Sequence, residues 1–214
     1  MDPPSKRHTV LVDVNTWLLY TAAALGLSLT PGPNGLLALT HGALYGVRRT
    51  LFTIAGGALG FTGVIAASLF GIGAILAAST DLLTVLKWLG GAYLVWLGIQ
   101  VWRSAPIAAE RSSQSPLLTR VAVFRQGFLA AVTNPKGILF FVAFLPQFLV
   151  TDSPLMTQFA IMAATFVGIE IITELAIAAG SAKIQPVLAR FGKRFNHIFG
   201  GLFMVIGVAL PLRA

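Results

Sequence analysis

Apolar stretches long enough to cross a lipid bilayer recur along the whole of this 214-residue chain. A transmembrane helix needs about 20 predominantly apolar residues to span the hydrocarbon core. Only 10% of the residues are charged, whereas a typical soluble domain has about 25%, so there is too little charge to cover a water-facing surface. The sequence therefore predicts an all-α, polytopic membrane protein.

The hydropathy pattern predicts six transmembrane helices, at residues 16–44, 50–78, 82–102, 124–150, 155–181 and 195–212. A polar, serine-rich stretch bounded by prolines, residues 104–120, is the expected linker between a first half, 16–102, and a second half, 124–212. Because each half has three spans, the second half must be inverted relative to the first. We expect residues 1–214 to form a single transmembrane domain of two inverted three-helix repeats.

Positive charge is concentrated after the first, third and fifth predicted spans. The bases in these odd-numbered loops are Arg48, Arg49, Arg103, Arg111, Arg120, Arg125, Lys183, Arg190, Lys193 and Arg194. The positive-inside rule then predicts a multi-pass protein of the bacterial inner membrane, with odd loops in the cytoplasm and both termini outside. We interpret the net charge of +8 as a topology signal, and expect no nucleic-acid partner.

Two predicted spans are interrupted by similar motifs. The first motif is Thr30, Pro31, Gly32, Pro33 and Asn34, and the second, in the fourth span, is Thr133, Asn134, Pro135 and Lys136. Proline removes a backbone donor and clashes with the preceding turn, and open backbone at membrane depth is tolerated only where protein or a cavity satisfies it. Such breaks at matching positions indicate the binding site of an inverted-repeat transporter, where helix N-termini attract an anion such as a carboxylate. The alternative is a plain proline kink relieved by the adjacent threonine.

Three ionisable residues lie where charge is costly. Lys136 adjoins the second break, and Glu170 and Glu174 are four residues apart in the fifth span, so they share one helical face. Two close, partly desolvated carboxylates do not both ionise readily, which suits proton uptake and release. The alternatives are a lysine that extends to the membrane interface and a structural pair of acids satisfied by threonines or by Lys136.

Several other kinds of chemistry are not expected. The chain has no cysteine, which excludes disulfides and thiol redox chemistry, and its three histidines lack metal-ligand spacing. No nucleotide-binding glycine loop or catalytic triad stands out, so we expect neither an enzyme nor a cofactor. Gly56 and Gly60 form a GxxxG pattern, which predicts a helix-packing face within the bundle or in a homodimer.

The motifs together resemble those of the LysE/RhtB family of amino-acid exporters, from about Trp17 to Leu212. The matching segments are Thr30–Asn34, Gly46–Thr50, the Gly56/Gly60 helix, Thr133–Lys136 and Phe140–Phe148. Glu170 falls where many members of this family have an acid, whereas Glu174 has no counterpart that we can place. Asn34 replaces the commoner aspartate and so removes a charge from the first break.

The resemblance implies a secondary transporter that exports an amino acid or derivative, such as homoserine, homoserine lactone, threonine or lysine, by proton antiport. In this hypothesis, the substrate carboxylate binds at the helix ends and Lys136, and its ammonium group lies near Glu170. The partners would be the amino acid, protons and the lipid bilayer. The alternative function is export of another small solute or cation, as in distant relatives of the same superfamily.

Overall fold

The computed structural model describes residues 14–30, 32–78, 80–103, 118–149, 153–209 and 212. Every regular element in this part of the chain is helical, which confirms the all-α class. The α-helices are α1 (Val14–Leu29), α2 (Pro33–Tyr45), α3 (Val47–Ala78), α4 (Thr80–Arg103), α5 (Arg120–Val132), α6 (Pro135–Phe144), α7 (Leu155–Ala179) and α8 (Ser181–Ala209), and a 3-10 turn (Leu145–Phe148) follows α6.

The helix lengths agree with a membrane location. Within the described residues, Val47–Gly71 of α3 and Leu155–Ala179 are each long and apolar enough to cross a bilayer. The α5–α6 pair passes the same test as one broken span with a bend of 46°. Val14–Leu29 and Asn196–Ala209 are shorter apolar helices. The number of six spans therefore stays a prediction, and most of the expected linker, residues 104–117, lies outside the described residues.

Several bases that the sequence analysis assigned to loops lie in helices instead. Arg48 and Arg49 belong to the first turn of α3, Arg120 and Arg125 belong to α5, and α8 begins at Ser181, well before Lys193. Hydropathy detects where an apolar stretch ends, but a helix continues for as long as its backbone hydrogen bonds can form. The assignment of residues 182–194 to a loop was therefore wrong.

Close backbone contacts at glycines determine how the helices cross. A Cβ atom on Gly56 would collide with the Phe124 carbonyl of α5, and one on Gly127 of α5 would collide with the Thr53 carbonyl of α3. The GxxxG face thus packs within the bundle, against α5. Helices α4 and α8 cross in the same way, because a Cβ on Gly98 would lie 2.6 Å from the Gly200 carbonyl oxygen and the reverse distance is also 2.6 Å.

The α3–α5 contacts lie on one side of the helix breaks. On the other side, aromatic side chains fill the core. The fully buried rings are Tyr20, Phe140, Phe141, Phe144, Phe148, Phe166 and Phe203. Phe141 and Phe166 meet edge to face at 4.8 Å between centroids, and Phe61 contacts both. This cluster joins α3, α6 and α7 just beyond the point where α6 begins, which fixes the position of the second break.

We predict that Gly56→Ala destabilises the protein, whereas Gly63→Ala on the same helix does not. The Gly56 variant forces α3 and α5 apart, an overpacking that costs about 1–3 kcal/mol. A Cβ on Gly63 meets no atom within 4 Å, and alanine is the better helix former by up to about 1 kcal/mol. Thermal unfolding of the two detergent-purified variants measures the difference. Equal melting temperatures would contradict the proposed role of this crossing.

Candidate substrate and coupling site

The first break separates α1 from α2. The backbone N–H of Thr30 and its hydroxyl both donate to the Gly26 carbonyl, at 3.0 and 2.5 Å, and close the last turn of α1. Gly32 is the N-cap of α2 in an extended conformation, and it offers no side chain to the free N–H groups. Pro33 occupies the first helical position, where its missing N–H costs nothing. Pro31 lies outside the described residues.

The second break repeats this arrangement with one difference. The Thr133 hydroxyl donates to the Leu129 carbonyl at 2.6 Å, as Thr30 does in the first break, and Pro135 again begins the new helix. Here, however, the N-cap is Asn134, whose side-chain oxygen accepts from the N–H groups of Lys136 and Gly137 at 3.1 and 3.4 Å. The α6 N-terminus is therefore capped by a side chain and the α2 N-terminus is not.

Lys136 connects the two breaks. Its ammonium group donates to the carbonyl oxygens of Leu27, at 3.1 Å, and Thr30, at 2.8 Å. These carbonyls lie at the C-terminal end of α1, where the last four acceptors of a helix lack internal partners and the helix dipole attracts a cation. A Cβ on Gly32 would lie 2.8 Å from the same ammonium nitrogen, so a larger residue here would require the flexible Lys136 side chain to shift.

Glu170 and Glu174 both point into the bundle from one face of α7. Their side chains are 7% and 2% exposed, and the two carboxyl groups interact with each other. Glu170 also lies near Ser28 of α1, without a hydrogen bond to its hydroxyl, and near the Lys136 charge. Because α7 packs against α1, α2 and α3, the acids face both the broken span and its neighbour.

Asn34 completes the cluster from α2. Its side-chain nitrogen would lie 3.0 Å from a Cβ on Gly57 of α3, and the Glu174 Oε2 atom would lie 3.7 Å from the same point. Gly57 thus provides the space in which the Asn34 amide and the Glu174 carboxylate approach each other. Asn34 is 4% exposed, so this meeting point is shielded from the surface.

Four oxygen atoms in this cluster are buried without a hydrogen-bond partner among the described residues. They are Ser28 Oγ, Asn34 Oδ1, Glu170 Oε2 and Glu174 Oε1. Buried polar atoms are nearly always paired, because leaving one unpaired costs free energy. All four can accept a hydrogen bond, so the cluster is suited to a donor group that carries positive charge.

The structure brings together most, but not all, of the residues that the sequence singled out. Thr30, Gly32, Asn34, Asn134, Lys136, Glu170 and Glu174 lie in or beside the cluster. Thr133 and Pro33 are exposed, so the hydroxyl of Thr133 serves its own helix. Within the described residues, no group of three or more potential metal ligands occurs.

Sequence reasoning missed two polar residues of this region, the half-buried Ser28 and the buried His41. Ser28 lies next to the first break, and its position two residues before Thr30 was a usable signal. His41 lies seven residues after Asn34, hence on the same face of α2, and is 4% exposed. Both would have been found by following the buried face of the broken helix outward from the break.

Comparisons with known proteins show which family the chain resembles. Residues 25–213 match the family described as LysE type translocator. The chain is 37% identical over 202 residues to a membrane protein of Vibrio cholerae serotype O1, covering 93% of this chain and 98% of the relative. It is 32% identical over 200 residues to a homoserine/homoserine lactone efflux protein of Salmonella typhimurium (91% and 95% covered), and 27% identical over 201 residues to a leucine efflux protein of Klebsiella pneumoniae (89% and 92%). No solved structure matches.

The apolar helices, the broken spans and these similarities define a membrane transport protein. The chain belongs to the LysE type translocator family, which confirms the resemblance seen in the sequence motifs.

We predict that Asn134→Ala lowers the free energy of unfolding by about 1 kcal/mol, because it removes an N-cap. Asn134→Ser, which keeps a capping oxygen, recovers most of the loss. Denaturant or thermal unfolding in detergent compares the two variants with the unmodified chain. If alanine and serine were equally destabilising, the hydrogen bonds that Asn134 accepts from Lys136 and Gly137 would not account for its contribution to stability.

Proposed function

We propose that this protein exports an amino acid or amino-acid derivative across the bacterial inner membrane in exchange for a proton. The observation that carries the proposal is the buried Glu170–Glu174 pair beside Lys136, at the point where two broken helices meet. Charged groups at membrane depth are costly and mark substrate or ion pathways. The efflux activity named for the relatives supports export as the direction of transport.

The ammonium group is the feature that the proposed substrates share. Homoserine and leucine are amino acids, whereas homoserine lactone has an ammonium group and no free carboxylate. A site common to such compounds must recognise the ammonium group first. Glu170 Oε2, Glu174 Oε1 and Asn34 Oδ1 are buried acceptors without a partner in the described structure, and they supply the charge and geometry for it.

The substrate carboxylate, or the lactone carbonyl, would bind at the first break. The α2 N-terminus has no side-chain cap, so its N–H groups are available to an anion. The Lys136 ammonium adjoins Gly32 and adds a positive charge at the same place. The α6 N-terminus is less suitable, because Asn134 already accepts hydrogen bonds from two of its N–H groups.

Charge balance then couples the substrate to the proton. Lys136 with ionised Glu170 and Glu174 gives the cluster a net charge of −1, and an uncompensated charge in this buried site is costly. The unbalanced carboxylate is neutralised locally by one cationic group, either a proton on a carboxyl oxygen or the substrate ammonium group, while the carboxylate of a zwitterionic substrate binds at the α2 N-terminus. The proton and the substrate ammonium group compete for the same oxygens. After the substrate is released outside, a proton therefore takes its place, and the protonated site then reopens toward the cytoplasm. We therefore propose an exchange of one proton for one substrate.

Six spans in two inverted repeats would provide the alternating access that such an exchange requires. The helix packing supports this arrangement. Helix α3 packs on α7 and α4 packs on α8, so each of these helices contacts its proposed counterpart in the other repeat. The contact of α2 with α7 also has a symmetric equivalent, the contact of α6 with α3. The reciprocal contact of Gly98 and Gly200 is what a two-fold axis through the α4–α8 crossing would produce. A homodimer is compatible with this arrangement but is not required by it.

The orientation can be tested with single cysteines, since the chain contains none. Val14 and Arg48 are both exposed, and we propose that Val14 lies outside and Arg48 in the cytoplasm. A membrane-impermeant maleimide should label Val14→Cys in intact spheroplasts and label Arg48→Cys only after lysis. The reverse pattern would mean that the termini are cytoplasmic.

The transport proposal is tested by loading cells with a panel of dipeptides and following the amino acids that appear in the medium. We expect selective release by the unmodified protein, which an uncoupler abolishes. Glu170→Gln and Glu174→Gln should each lower release at least about tenfold, equivalent to a lost interaction of about 1.4 kcal/mol. Ile172→Val is the matched control, because Ile172 lies between the two acids on α7 and is 70% exposed.

Protein levels in the membrane must be equal for all variants. No release of any amino acid above the vector control would reject amino-acid export and favour another small solute or cation as the substrate. Release that resists the uncoupler, and that both glutamine variants retain, would reject the proposed coupling.

A further inference from the structure

A second polar contact joins α2 and α3 beyond the Asn34–Gly57 meeting point. His41 Nδ1 lies 2.7 Å from the Thr53 hydroxyl oxygen. Thr53 precedes Gly57 by one turn of α3, about 6 Å along the axis, and His41 follows Asn34 by about 10 Å of α2. The histidine therefore lies between the carboxylate pair and the end of the bundle formed by the α2–α3 turn at Gly46.

His41 and Thr53 are buried, and polar groups surround them. The imidazole is 4% exposed, and Thr53 beside it is 2% exposed. Gln126 of α5 lies within hydrogen-bonding reach of the ring, and the Tyr45 ring centroid is 5.1 Å from it. A purely structural side chain could fill this space without being titratable, so a histidine here requires a reason.

The side chains that the structure records as partners of His41 are uncharged. The groups that face the imidazole are Tyr45 from α2, Thr53 from α3 and Gln126 from α5. From α7, the backbone of Ala178 packs against Gly42, next to His41, and the nearest acid on that helix is Glu174, one turn away. An imidazolium formed here would thus have the carboxylate pair as its closest negative charge.

We propose that His41 carries the proton between the Glu170–Glu174 pair and the α2–α3 end of the bundle. This inference rests on the proposed proton exchange and adds the route by which the proton leaves. A proton departs from a carboxyl oxygen of Glu174, crosses through water, and binds to a ring nitrogen of His41. The imidazolium then releases one proton to water at the α2–α3 turn, so the histidine ends neutral and the carboxylate ends charged, ready for the substrate ammonium group.

Two transport reactions distinguish a residue that relays protons from one that only supports the fold. Exchange of internal for external substrate needs the binding site to move but needs no net proton transfer. Net efflux driven by a pH gradient needs both the movement of the binding site and the net transfer of a proton. Loss of the relay must therefore impair gradient-driven efflux and spare exchange, whereas damage to the fold impairs both reactions together.

The test uses the full chain in proteoliposomes, with radiolabelled homoserine and leucine as the probes. In His41→Gln, the amide can still hydrogen-bond to Thr53 but does not titrate. We expect exchange within about twofold of the unmodified protein and gradient-driven efflux lowered about a hundredfold, the lower end of the range for loss of a proton-transfer group. A pH-sensitive dye trapped in the vesicles should record an equal loss of proton movement. Tyr45→Phe, which keeps the ring contact, serves as the control and should leave both reactions unchanged.

Two results would overturn the inference. If His41→Gln retained gradient-driven efflux and proton movement, His41 would not be on the route. If exchange and gradient-driven efflux fell by the same factor, His41 would be structural, and His41→Asn replaces the glutamine variant if the latter does not fold. Failure of the proposed function itself looks different, because the unmodified protein would then show no proton-driven efflux, with or without exchange.

Discussion

The hydrogen bonds from the Lys136 ammonium to the carbonyls of Leu27 and Thr30 are the interaction on which the rest of this structure depends. They satisfy the open end of α1 with a side chain from the start of α6, so that each break supports the other. Without a donor there, two carbonyls would be unpaired at membrane depth, where each such group costs several kcal/mol. The lysine in turn is acceptable in the interior because Glu170 lies close enough to balance its charge.

Different side chains pack on the two sides of this charged centre. Toward the 3-10 turn after α6, the interior is filled with aromatic rings, of which Phe141 and Phe166 lie about one turn from Gly137 and Glu170. Toward the α2–α3 turn, small residues such as Gly42, Gly56 and Gly127 bring backbones into contact, and His41 is the buried titratable side chain of that region. The aromatic side excludes water, whereas the glycine side offers polar groups along which a proton can move.

The sequence predicted the local features of this site and missed the long-range ones. Proline determines its own backbone, so both helix breaks were predictable from the motifs, and the spacing of Glu170 and Glu174 determined that they share a face. The partner of Lys136 was not predictable, because Leu27 lies 109 residues away in the sequence and only the packing of α1 against the rest brings it near. The role of Gly57 was hidden for the same reason. The start of α8 at Ser181 was missed because hydropathy finds apolar stretches and not helix ends.

The reciprocal contact between Gly98 and Gly200 restricts how this molecule can change shape. Where two backbones touch, neither helix can slide or separate without opening a void, since protein interiors are packed as densely as crystals. Rotation about the point of contact keeps the two glycines together and is much less costly. The α4–α8 crossing is therefore a point about which the helices can rotate. A small angular change at the glycines then becomes a larger displacement at the ends of the bundle.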